Sequence, residues 1–203
     1  SKQNLISYCT NLFYHNMIPD MTAGDLLQLF KQRQSVRAYT DRTVEPDKLM
    51  RCIEAAQSAP SACNAQPWKY IVINDAELKN NIADHITSKL LSMNHFTRQA
   101  PVLVAIVREP ANFTSSVGQV LKNKEYPLMD IGISAIQFCL QATAEGLGTC
   151  IMGWFDEKKI KKLLKVPATK RIELIITLGY AASDEIRPKI RKNLDSILSF
   201  NGY

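Results

Sequence analysis

Apolar positions along this chain fall into two periods. Residues 102–107 (Val-Leu-Val-Ala-Ile-Val) are apolar without a break, the pattern of a strand buried on both faces. Residues 69–74 and 171–180 also read as strands, rich in Ile, Val, Leu and Tyr. The helical period appears elsewhere. Residues 23–32 place Leu26, Leu27, Leu29 and Phe30 on one broad face, and Thr22 with Asp25 resembles a capping box with Asp in place of the usual Glu or Gln. Pro46 opens a second helix carrying Leu49, Met50, Ile53, Ala56 and Ala59. A third is expected near residues 76–91, and a fifth starts at Asp156 and is stopped by Val166-Pro167. The fourth, residues 129–145, is the most apolar. Asp130, Ser134, Gln137, Gln141 and Glu145 make one narrow polar stripe, so the helix is expected to be covered on most sides, with a subunit interface as a natural cover.

Between these elements lie three short segments with chemical potential. In residues 33–39, Arg33, Ser35 and Arg37 alternate with Gln34 and Val36, and Val36, Tyr39 and Thr40 favour an extended backbone. Extended, the two guanidinium groups and the hydroxyl project to one side, roughly 6–7 Å apart at successive positions. That spacing suits a small dianion such as a phosphate, since arginine offers forked, charged donors. Residues 188–192 (Pro-Lys-Ile-Arg-Lys) repeat the alternation, and Pro188 biases Arg187 towards an extended conformation, so Lys189 and Arg191 face the same way. Alone, this is equally a basic surface strand. Residues 60–68 (Pro-Ser-Ala-Cys-Asn-Ala-Gln-Pro-Trp) form a proline-bracketed loop rich in hydroxyl and amide groups, leading into the strand at 69–74.

Composition narrows the classes. The 203 residues are 46% hydrophobic and 22% charged, which suits one globular domain. No apolar run approaches the length of a membrane span, and residues 5–18 are broken by Ser7, Thr10, Asn11, His15 and Asn16, which argues against a signal peptide. Five scattered cysteines without a C-x-x-C pair fit a reducing cytoplasm, and the three histidines have no metal-ligand spacing. The net charge of +6 comes from Lys158, Lys159, Lys161, Lys162 and Lys165 and from residues 187–192. Aromatic residues do not interleave with these cations, so attraction of an anionic cofactor is the simpler reading than nucleic acid. Residues 1–20 read as an N-terminal extension to a single domain at 21–203, or as an ordinary first helix. Residues 109–127 read as a lid or a surface excursion.

Taken in order, the segments resemble the FMN-dependent nitroreductase family. The shared pattern is R-x-S-x-[RK] at 33–37, P-S-x-x-N-x-Q-P-W at 60–68, G-L-G-T-C at 146–150 followed by the turn Met152-Gly153-Trp154, and K-x-R at 189–191. It spans roughly residues 22–200. The resemblance implies an α+β, nitroreductase-like fold: a central, mostly antiparallel sheet flanked by helices, in an intertwined homodimer with flavin sites at the interface. It implies that Arg33, Gln34, Ser35, Arg37, Lys189 and Arg191 surround the FMN phosphate. Pro60, Ser61, Ala62, Asn64 and Gln66 would contact the flavin from the second subunit, and Asn94 its pyrimidine edge. The backbone of Met152, Gly153 and Trp154 would lie against the ring. It further implies ping-pong reduction of nitroaromatic or quinone acceptors by NADH or NADPH, with no catalytic side chain and no metal. Reductive dehalogenation, flavin fragmentation, azoline dehydrogenation and a non-enzymatic flavin protein remain alternatives.

Overall fold

The apolar run becomes the middle of a sheet. A computed structural model describes residues 21–87, 93–110 and 124–203. Its sheet contains β1 (Trp68–Ile73), β2 (Val102–Arg108), β3 (Gly148–Met152) and β4 (Arg171–Gly179), in the order β1-β2-β4-β3 with every neighbouring pair antiparallel. The α-helices among the described residues are α1 (Ala23–Gln32), α2 (Pro46–Gln57), α3 (Ala76–Ile86), α4 (Tyr126–Ala144) and α5 (Glu157–Leu163). This is the α+β arrangement that the family resemblance implies. The expected extension at residues 1–20 and most of the expected lid, residues 111–123, lie outside the described residues.

Both faces of β2 are dry because each carries its own core. Leu103, Ala105 and Val107 pack with Ile82 and Ala83 of α3 and Ile160 of α5. Val102, Val104 and Ile106 pack with Cys52 and Ala56 of α2 and with Ile131, Ala135 and Phe138 of α4. The protein is therefore three layers, with α3 and α5 on one side and α2 and α4 on the other. A bulge between Ile106 and Val107 shifts the register with β4, pairing Ile106 with Leu174 but Val107 with Ile172.

Helix ends follow local chemistry. Thr22 accepts from the Asp25 N–H at 3.2 Å and its own N–H donates to Asp25 Oδ2 at 2.8 Å, so Asp completes the capping box that opens α1. The Thr22 hydrogen bonds hold the Asp25 carboxyl below its usual range. The helix expected over 76–91 ends at Ile86. Thr87 turns extended (φ −72°, ψ 129°), and its hydroxyl donates back to the Ala83 carbonyl at 3.0 Å. The helix expected over 129–145 begins earlier, at Tyr126, because Pro127 fits a first turn where its missing N–H costs nothing. Asp156 caps α5 by accepting from the Lys159 N–H at 3.2 Å.

The polar stripe of α4 divides. Asp130 and Ser134 are buried against this chain's own loop and α2, while Met129, Ile133 and Ile136 remain 55%, 39% and 38% exposed. Ser134 donates to the Ala56 carbonyl at 2.8 Å and shares a 2.7 Å hydrogen bond with the Tyr70 hydroxyl. In the single chain the uncovered side of this helix is thus apolar, not polar.

Candidate functional site

Residues 33–40 run extended along the outer edge of the sheet. Arg33 closes α1 with φ −54° and ψ 121°. Ser35 bridges Thr149 of β3 in parallel, and Tyr39 bridges Ala181 in antiparallel fashion. The Val36 N–H donates to the Thr149 carbonyl at 2.8 Å, and Thr40 N–H to the Tyr180 carbonyl at 2.9 Å. The alternation read from sequence is real: Val36 turns into the core while Arg33 and Ser35 stay half-buried and Arg37 exposed. The approach is close because residue 148 is glycine. A Cβ there would sit 2.6 Å from Val36 Cγ2 and 2.9 Å from its Cβ. The Tyr39 hydroxyl donates to the Val36 carbonyl at 3.0 Å and lies 2.6 Å from Thr177 Oγ1, which ties the segment to β4. Burial holds that phenol well above its usual pKa.

The second cationic stretch comes to the same place. Gln34 Nε2 donates to the Glu185 carbonyl at 2.8 Å, and the Arg187 backbone N–H donates to Gln34 Oε1 at 3.2 Å. The Arg187 guanidinium donates to the Ser35 carbonyl, and Lys189 Nζ to the Lys31 carbonyl at the end of α1. Burial, then the Arg33 and Arg191 charges, push the Lys189 ammonium below its ordinary pKa. The Cys150 thiol lies beneath this group. Burial raises its pKa, opposed by Arg37, Ser35, Arg187 and Arg33. Among the described residues, the Arg33 and Arg37 guanidinium groups have no hydrogen-bond or carboxylate partner, and Arg191 reaches only the neighbouring Ile190 carbonyl. Four cations therefore converge with unused donors. Two shallow clefts of about 310 and 250 Å³ flank the segment, sharing Gln34, Val36, Ala181 and Ser183.

The turn after β3 lies along the same edge. Thr149 presents its carbonyl outwards, strand alternation points the backbone groups of Ile151 towards the same open side, and Gly153 follows just past the end of β3. Gly153 stands about 13 Å from the Ser35–Thr149 bridge at strand rise. A Cβ on Gly153 would meet no atom within 4 Å, and Trp154 is 60% exposed. The Met152 side chain is buried in the core, and the same alternation turns its backbone groups towards β4. Asn94 adopts a left-handed conformation at φ 64° and opens the short 3-10 helix His95–Arg98. Its amide reaches the Ile86 carbonyl only at 3.5 Å.

Residues 60–66 form a separate, neutral patch. Cys63, Asn64 and Gln66 have φ of 52°, 50° and 46°, values side chains disfavour. The conformation is held by Asp130, whose two oxygens accept from the Ala62 N–H, each at 3.2 Å. Ser61 Oγ accepts from the Gln66 N–H at 2.9 Å, and Gln66 Nε2 donates to Asn64 Oδ1 at 3.0 Å. Pro60, Asn64 and Gln66 are exposed. This loop sits over Asp130, near the start of α4, whereas the cleft lined by Gln34 and Val36 touches Thr143, near its end. Those positions are about 20 Å apart along α4. The cations and the turn share the β3 edge, while the loop packs on α4.

Three contributors escaped the sequence reading. Arg187 was visible as a cation before a proline, Gly148 as an isolated glycine in a strand pattern, and Asp130 only as one member of a stripe. Among the described residues no acidic, histidine or cysteine cluster could hold a metal, and no helix is long and apolar enough to cross a membrane.

The family model described as "Nitroreductase family" matches residues 30–94 and 89–180. The chain belongs to the nitroreductase family. Its residues 33–37, 60–68 and 146–150 all lie inside the matched stretches of that nitroreductase model. A protein of Thermotoga neapolitana named iodotyrosine deiodinase is 25% identical over 198 residues, 88% of this chain and 98% of that protein. An oxygen-insensitive NADPH nitroreductase of Helicobacter pylori is 24% identical, over 84% of this chain and 94% of that one. The solved structure of an FMN-dependent nitroreductase from Clostridium difficile superposes with a TM-score of 0.69 at 26% identity, covering 87% of this chain and 99% of its own.

Proposed function

We propose that this nitroreductase-family chain is an FMN-dependent oxidoreductase that uses NADH or NADPH to reduce nitroaromatic or quinone acceptors in a ping-pong cycle. The observation that carries the reading is the convergence of Arg33, Arg37, Lys189 and Arg191 around Ser35 with donors left over. A phosphate monoester matches that donor set, because charge-assisted hydrogen bonds to it contribute about 1.5–3 kcal/mol each. Bound FMN would supply the hydride and electron transfer that no side chain here provides. The chain's own part is to hold and shield. Arg33, Ser35, Arg37, Lys189 and Arg191 grip the phosphate, while the open-edge backbone N–H groups of Ile151 and Gly153 are donors for the ring. Gly153 admits a flat ring because no side chain stands in the way.

The loop at 60–66 enters from a second copy in this reading. Its hydrogen bonds run to Asp130 of α4 and within the loop, leaving the Asn64 and Gln66 side chains exposed to a second chain. The apolar residues left uncovered on α1 (Leu26, Leu27, Phe30) and on α4 (Met129, Ile133, Ile136) support a homodimer that buries them. Scattered cysteines suit a reducing cytoplasm.

The decisive test is the spectrum of the purified protein. A flavin absorption band that bleaches when NADH or NADPH is added without oxygen is expected. A colourless protein that cannot be reconstituted with FMN overturns the proposal. The near full-length match to a protein named iodotyrosine deiodinase supports a second reading, reductive dehalogenation at the same site. Product analysis with nitroaromatic, quinone and iodinated phenolic compounds separates the two.

A further inference from the structure

Gln34 sits between Arg33 and Ser35, yet both ends of its side chain are occupied by the distant segment. Its Nε2 donates to the Glu185 carbonyl at 2.8 Å, and its Oε1 accepts from Arg187 twice, from the backbone N–H at 3.2 Å and from Nε at 3.3 Å. Arg187 reaches back to donate to the Ser35 carbonyl. These contacts join residues 151 to 153 positions apart in the chain. Two positions beyond Arg187, Lys189 meets the end of α1, and Ile190 points outwards at 95% exposure.

The contacts set a register. Sliding the segment by one residue would put Ile190 where Lys189 stands and turn both cations away. They also oppose a repulsion, because Arg33, Lys189 and Arg191 crowd like charges on one another. Gln34 holds the segment without adding charge of its own, although its partner Arg187 is a further cation.

We propose that Gln34 and Arg187 form a latch that positions Lys189 and Arg191 on the FMN phosphate, Gln34 being a positioning residue and not a ligand. This rests on the FMN reading given above. An anion relieves the repulsion that the latch opposes, so anion binding and docking of residues 185–192 strengthen each other.

The full-length chain tests this through two measurements. One is titration with FMN and with riboflavin, which lacks the phosphate. The other is tryptic cleavage after Lys189 and Arg191, read by mass spectrometry with and without FMN. Gln34→Ala is expected to weaken FMN about tenfold, leave riboflavin unchanged and speed cleavage about tenfold, as expected for hydrogen bonds of this class. Arg187→Ala, which breaks the latch from the other side, should do the same. In a Lys189→Ala/Arg191→Ala background, Gln34→Ala should add no further loss of FMN affinity, because nothing remains to be positioned. A second tenfold loss there assigns Gln34 to the ligand and overturns the proposal, as does cleavage that neither variant changes. Wild-type protein that binds FMN while the variants behave like it sinks the latch alone. Wild-type protein that binds no FMN sinks the functional reading beneath it.

Discussion

Residues 33–37 and residues 60–66, the two halves of the proposed FMN site, present polar groups, the first from extended backbone and the second largely from left-handed backbone. The cationic segment lies in a common region of backbone space and follows the edge of β3. Its difficulty is electrostatic, since like charges must be brought together across most of the chain. The neutral loop carries no charge, and its difficulty is conformational. Three non-glycine residues at positive φ each cost on the order of 1–3 kcal/mol, and they persist because Asp130, Ser61 and Gln66 over-determine them. One half is therefore sensitive to what it binds and the other to what it rests on.

The largest expected effect comes from the charged half. Arg33→Ala with Arg191→Ala should weaken FMN by about 100-fold or more, from two lost charge-assisted contacts, while the circular dichroism spectrum is kept. Unchanged flavin occupancy after gel filtration would refute the phosphate assignment. Gly148→Ala attacks the seat of that half. Val36 must move, at about 1–3 kcal/mol, which lowers the melting temperature by several degrees. It should also weaken FMN more than riboflavin.

Asp130→Ala tests the neutral half. It leaves the Ala62 N–H without its acceptor, for a loss of about 1–2 kcal/mol seen in thermal denaturation. FMN and riboflavin should weaken equally, because the phosphate is gripped elsewhere. A loss confined to FMN would show that the halves are not independent. The smallest effect concerns pH. The Tyr180 hydroxyl and Arg42 hold Glu45 at about 2, and Arg51 and Gln141 hold Glu145 at about 2, both from a usual 4.5. The Glu45 carboxylate accepts from the Tyr180 hydroxyl, and the Tyr180 carbonyl anchors Thr40 at the end of the cationic segment. Because the folded pKa values are lowered, the unfolded chain binds more protons in this window. Their stabilisation is complete above about pH 4.5 and is lost as pH falls towards 2, and Glu45→Gln with Glu145→Gln should flatten that decline in melting temperature.

Much of this was legible in the residues alone. The unbroken apolar run at 102–107 meant a strand covered on both faces, Thr22 and Asp25 meant a helix start, and the alternation at 33–37 meant an extended segment. Each of these signals acts over a few neighbouring positions, through side-chain period or a hydrogen bond three residues long. What lay beyond reach was which surface covers which. The stripe on α4 told polar from apolar, but only packing against α2 and Tyr70 made Asp130 and Ser134 the buried side and left Ile133 and Ile136 outside.

The sequence by itself determined the elements, the charges and their spacing, because propensity and period are local properties. The tertiary structure alone decided that Gln34 meets Glu185 and Arg187, and that the loop at 60–66 packs on Asp130 of α4 while the cationic segment follows the edge of β3. Those outcomes depend on closing a long stretch of chain around a packed sheet, and no short-range pattern encodes where such a closure ends.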